Sequence, residues 1–100
     1  MPINMLELLH DSGALMDGHF LLTSGRHSDR YIEKFRLLEQ PRHLDQAAEA
    51  MVAGIEANEV DVVLGAAVGG ILIAGAVARI LNKRTMFTER VDGQMTLRRG

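Results

Sequence analysis

The sequence contains no cysteine. That excludes a disulfide scaffold and a cysteine-ligated zinc site, and it suits a cytoplasmic protein. Tryptophan is absent as well, and the aromatic residues are three phenylalanines and one tyrosine. An aromatic platform for stacking nucleic-acid bases is therefore not expected. Positive charge is not in excess: the net charge is −2, which supplies no basic field for nucleic acid. The N-terminus has no basic stretch followed by an apolar core, so no signal peptide is expected. The most apolar segment runs from Ile71 to Leu81. It falls short of the roughly 20 residues that a bilayer-spanning helix needs.

What is present is a chain of 100 residues, 47% hydrophobic. Disorder is not expected of such a composition, and the length fits one small domain or part of a larger one. The central stretch is Val60-Asp61-Val62-Val63-Leu64, then Gly65-Ala66-Ala67-Val68-Gly69-Gly70, then Ile71 to Leu81. It reads as a strand at 60–64, a glycine loop at 65–70 and a helix at 71–81. The β-branched run suits a parallel strand buried on both faces. The helix is apolar on nearly every side and is expected to be covered by protein. Glycine in the loop permits positive φ and close approach of a ligand. A loop that opens into a helix N-terminus offers free N–H groups and the positive end of the helix dipole to an anion such as phosphate. The expectation is at least one backbone outlier there, either a positive-φ glycine or a non-proline cis peptide near Ala67-Val68. The loop matches neither the dinucleotide fingerprint nor the P-loop pattern, so by itself it identifies no ligand.

Around this centre, residues 4–12 read as a short helix capped by Asn4, with Met5, Leu6 and Leu9 inward and Gly13 as its stop. Residues 19–22 and 30–35 read as strands, joined by a polar turn at 23–29. Pro41 opens a helix that runs to about Ala57, burying Leu44, Ala47, Ala48, Met51, Val52 and Ile55. A strand at 84–88 is expected to lie parallel to the 60–64 strand. It is followed by a turn at 89–94 that contains the hairpin signal Asp92-Gly93, and by a returning strand at 95–97. Segment 90–99 is polar and is expected to be the most mobile internal stretch. The four histidines, His10, His19, His27 and His43, show no metal-binding spacing.

Gly18-His19-Phe20, Ser24-Gly25-Arg26-His27-Ser28, the 65–71 loop, Phe87-Thr88-Glu89-Arg90 and Met95-Thr96-Leu97-Arg98-Arg99-Gly100 stand in an order and spacing that resemble the orotate phosphoribosyltransferase family. The resemblance covers essentially the whole chain. It implies an α/β fold of the type I phosphoribosyltransferase kind: a mainly parallel sheet flanked by helices, with an N-terminal hood, here stopping before the strand that carries the family's fingerprint for 5-phosphoribosyl 1-diphosphate (PRPP). Residues 1–40 would be a helix and the hood hairpin. Residues 41–100 would be the start of the core and the catalytic-loop hairpin of one domain.

The implied reaction transfers phosphoribose from PRPP to orotate, giving orotidine 5′-monophosphate and pyrophosphate in pyrimidine synthesis. Mg²⁺ would be bound mainly through PRPP, and the enzyme would be a homodimer. By the same resemblance Thr23, Ser24, Arg26, Ser28 and Tyr31 would serve orotate. Ala66, Ala67, Val68, Gly69 and Gly70 would hold pyrophosphate. Arg90, Arg98 and Arg99 would be catalytic on a mobile loop that reaches the partner's site. No protein metal ligand, nucleic acid or membrane partner is implied. The chain departs from many members at Thr23 and at Val68-Gly69, where lysine and tyrosine-lysine are common, and the PRPP fingerprint is absent. Two alternatives stay open: a purine phosphoribosyltransferase or PRPP-binding regulator, and an inactive fragment competent only in dimerisation or partner binding.

Overall fold

The computed structural model describes residues 4–99, with the side chains of residues 4–97. Helix α1 spans Met5–Asp11. The Asn4 side chain caps it, accepting from the amides of Leu6 at 3.0 Å and Glu7 at 3.2 Å. Gly13, at φ +80°, follows the C-cap Ser12. The buried residue of α1 is Leu8, whereas Leu6 is 63% exposed. The inward side is Leu8 with the half-buried Leu9, and Met5 is 38% exposed, so the expectation of inward Met5 and Leu6 is corrected. Asn4→Ala is expected to cost about 1 kcal/mol, because two first-turn amides lose their acceptor. A urea unfolding midpoint checks this.

Strands β1 (Leu15–Leu21) and β2 (His27–Ile32) form an antiparallel pair of their own, with Leu15 opposite Ile32 and Leu21 opposite His27. The ladder is interrupted by a register shift between Asp17 and Phe20. Both strands start earlier than the sequence suggests. The turn is tightened by bonds from Leu22 N to Arg26 O (2.8 Å) and from Gly25 N to Leu22 O (2.9 Å), so it occupies 22–26 rather than 23–29. Residues 33–35 are not strand. Glu33 N still bonds Ala14 O at 2.8 Å, and the chain then turns into the short helix α2 (Phe35–Leu38), which local patterning did not reveal.

Helix α3 (Pro41–Val52) opens with Pro41 in its first turn, as expected. It stops at Val52 rather than Ala57, because Gly54 takes φ +89° and the chain passes into a 3₁₀ turn at Ala57–Glu59. His43, Ala47 and Ala48 are its buried residues. Met51 and Ile55, expected inside, are 56% and 46% exposed.

Strand β3 (Val62–Ala66), helix α4 (Gly69–Leu81), strand β4 (Arg84–Val91) and strand β5 (Gln94–Arg99) complete the chain. Strands β3 and β4 are parallel, from Val62 opposite Arg84 to Ala66 opposite Thr88, as predicted. Strand β5 returns antiparallel to β4, giving the order β3-β4-β5. The turn is only Asp92 and Gly93, both at positive φ (51° and 80°), the geometry of a two-residue hairpin. Residues 89–91, expected in the turn, belong to β4.

Two apolar clusters hold these parts together. Leu8, Ala14, Leu37, Leu38 and Ala47 join the N-terminal elements to α3, and Ala48, Ala76 and Val77 join α3 to α4. Leu44 and Ile73 pack against both. Small residues allow the close helix contact, since Ala48 has no exposed surface. The α4 helix is not covered all round: Leu72 and Ile80 are each 44% exposed, on faces that no described element covers.

Candidate functional site

Strand β3 runs two residues further than expected and α4 starts two residues earlier, so only Ala67 and Val68 connect them. Ala67 N donates to Thr88 O at 2.7 Å, which ties the connection to the end of the neighbouring strand. The Ala67–Val68 peptide is cis, one of the two outliers that the sequence predicted. Gly65, Gly69 and Gly70 are not among the positive-φ residues. Their role is close approach. A Cβ on Gly65 would collide with the Gly70 carbonyl oxygen and lie 2.7 Å from Ala74 Cβ. The first turn of α4 therefore lies directly on β3. No side chain caps it, which leaves first-turn amides and the positive dipole end for a ligand.

A cavity of about 520 Å³ opens beside this loop. Ala66 through Gly70 line it together with Lys34, Leu38 and Met51. Lys34 is the one charged residue of the lining. Its stem lies against Gly69, where a Cβ would sit 2.8 Å from Lys34 Cε. Reading the sequence missed Lys34, because it falls inside the segment taken as a strand and belongs to no motif.

The hood residues are elsewhere. Thr23, Ser24 and Arg26 are exposed on the hairpin turn, where Ser24 Oγ accepts from Arg26 N at 3.4 Å. Ser28 Oγ donates to Arg30 O at 2.7 Å and accepts from Arg30 N at 3.1 Å, so its hydroxyl serves its own strand. The Tyr31 ring lies 5.5 Å from that of Phe20. Ser28 and Tyr31 line a separate cavity of about 450 Å³ with Leu22 and Arg30. None of these hood residues lines the loop cavity. His19 Nε2 and His27 Nδ1 are 2.8 Å apart across the hairpin, a pairing that spacing alone did not suggest.

Arg90 is exposed at the end of β4, and its Nη1 donates to Gly93 O at 3.0 Å. It does not reach the loop cavity of its own chain. The side chains of Arg98 and Arg99 lie outside the described residues. Among the described residues no three or more His, Cys, Asp or Glu come together to hold a metal. No described helix is long and apolar enough to cross a membrane.

The glycine turn between parallel strand and helix, the second strand bounding it, the antiparallel return and the separate N-terminal hairpin form the type I phosphoribosyltransferase fold, as the match to solved structures shows. The structure matches that of orotate phosphoribosyltransferase from Aeropyrum pernix with a TM-score of 0.81 at 26% identity, over 94% of this chain and 56% of that one. Leishmania donovani UMP synthase shares the fold, with a TM-score of 0.69 at 23% identity over 94% of this chain and 21% of that one. In sequence the chain is 45% identical over 94 residues to orotate phosphoribosyltransferase of Thermotoga maritima, covering 94% of this chain and 50% of the relative. It is 43% identical over 96 residues to that of Chlorobium phaeobacteroides, covering 96% of this chain and 50% of the relative. No family model matches the chain. The chain is homologous to the orotate phosphoribosyltransferases and spans about half the length of these curated relatives.

Proposed function

We propose that this chain serves the transfer of phosphoribose from PRPP to orotate, with release of pyrophosphate. The supporting observation is the β3–loop–α4 turn with its cavity, in a chain 45% identical to a relative named for that activity. The reaction displaces a polyanionic leaving group from a carbon that gains positive character. What a protein contributes is positioning of both substrates, charge neutralisation and exclusion of water. In this reading the amides at 68–70 hold pyrophosphate, the Ala67 amide being taken by Thr88 O. Ser24, Arg26, Ser28, Thr23 and Tyr31 face orotate, with the Arg26 guanidinium matched to a carboxylate. Mg²⁺ would enter with the phosphates and help neutralise their charge, a role that asks for few protein ligands.

Arg90, Arg98 and Arg99 act on the site of a second copy in a homodimer. The position of Arg90 outside its own chain's cavity is in keeping with that arrangement. The test is orotidine monophosphate formation by the protein in its full natural length, with Mg²⁺ and PRPP, set against adenine and xanthine as acceptors. Orotate turnover is expected. Turnover of a purine instead moves the protein to another branch of the fold. Failure to bind PRPP in a calorimetric titration leaves only a partner-binding role.

A further inference from the structure

We infer that Lys34 is the cation that holds the leaving pyrophosphate over the 65–70 loop; the inference rests on the function proposed above. The loop Gly65-Ala66-Ala67-Val68-Gly69-Gly70 has no charged side chain of its own. It offers an anion only backbone amides and a helix dipole, whose field fades within the first turn. Pyrophosphate carries several negative charges in a small volume, and one fixed cation beside the amides completes such a site. Within the cavity that cation is Lys34.

The placement is specific. The Lys34 stem runs across Gly69, with Cε and Cδ at 2.8 and 3.4 Å from where a Cβ would stand. The missing side chain at Gly69 is thus the groove in which Lys34 lies. The Lys34 backbone is anchored: its carbonyl accepts from Leu37 N at 3.1 Å and Leu38 N at 3.0 Å, at the start of α2. Leu37 and Leu38 are themselves core residues. The stem therefore leaves a rigid base and crosses to the loop. Its ammonium is 5.5 Å from the Phe35 ring centroid. Among the described residues the Lys34 ammonium makes no ion pair, so no carboxylate there neutralises it. A flexible stem with a compact, rotatable ammonium suits phosphate oxygens. Lys34 follows directly on the hood hairpin, so it is also the group that links the base side to the phosphate loop.

The test compares wild type with K34M, which keeps the stem and removes the charge, and with K34R. Each is made in the protein's full natural length, and inorganic pyrophosphate with Mg²⁺ is titrated calorimetrically. K34M is expected to bind pyrophosphate roughly tenfold more weakly, the loss of one charge-assisted contact, and with a flatter salt dependence. K34R is expected to recover most of the affinity. A merely structural role would not alter the salt dependence. Should K34M fail to fold, K34Q makes the same comparison. Equal affinity in wild type and K34M, or no pyrophosphate binding by wild type, overturns the inference. Orotate turnover by wild type is read separately. Its absence, with K34M still weakened for pyrophosphate, overturns the orotate reading alone.

Discussion

Gly65→Ala is expected to destabilise the fold by about 3 kcal/mol or more, at the upper end of what overpacking costs. It is also expected to abolish pyrophosphate binding. The new methyl would fall on the Gly70 carbonyl oxygen, 2.8 Å from the Gly70 carbonyl carbon and 2.7 Å from Ala74 Cβ. Two of these atoms are backbone and the third is a side chain with no torsion to turn. Relief requires the first turn of α4 to move off β3, and the amides at 69–70 move with it. Gly75→Ala is the control. It lies in the interior of the same helix with nothing within 4 Å of its would-be Cβ, so it is expected to stabilise by about 0.5–1 kcal/mol. Urea midpoints of both variants check the pair. A Gly65→Ala protein within about 0.5 kcal/mol of wild type, the scatter of ordinary surface substitutions, would show that strand and helix have slack at this contact.

Arg90→Ala is expected to lower kcat/KM for orotate about a hundredfold while leaving stability within about 1 kcal/mol, the two effects being separable for physical reasons. In the fold Arg90 is exposed, and among the described residues its side chain bonds Gly93 O in its own hairpin. A net contribution of about 1 kcal/mol bounds the structural loss. In the proposed reaction the same guanidinium meets charge developing on the leaving group in a closed, dry site, where one such donor is worth about 10²–10³ in rate. Steady-state kinetics and a thermal melt of the full-length protein measure the two sides. Unchanged kcat/KM would leave Arg90 as nothing more than a brace for the Asp92-Gly93 turn. Mixing Arg90→Ala subunits with subunits disabled at the loop tests the cross-subunit placement, because a shared site recovers activity in the mixed dimer.

Reading the chain by itself determined the features that neighbouring residues decide among themselves. Asn4 caps because its oxygen reaches amides two and three residues on. Pro41 starts a helix because its ring presets φ and its missing N–H has no partner to lose there. Asp92-Gly93 turns because both residues tolerate positive φ. The β-branched run, glycine loop and apolar helix specify a parallel crossover by their order and length, and the motif spacing was enough to indicate the family. The tertiary structure decided everything that depends on groups distant in sequence. The 65–70 glycines admit a helix against a strand instead of bending the chain, and only the position of Gly70 and Ala74 over Gly65 shows it. Leu8 is buried and Leu6 exposed because Leu37, Leu38 and Ala47 come from elsewhere to cover one face of α1 and not the other. Met51 looks like core by periodicity yet stays 56% exposed beside the loop cavity. Lys34 carried no signal in its own segment. Its place over Gly69, 35 positions along the chain, comes from the packing of α2 onto α3 and α4, and a through-space contact of that kind leaves no trace in local periodicity or propensity.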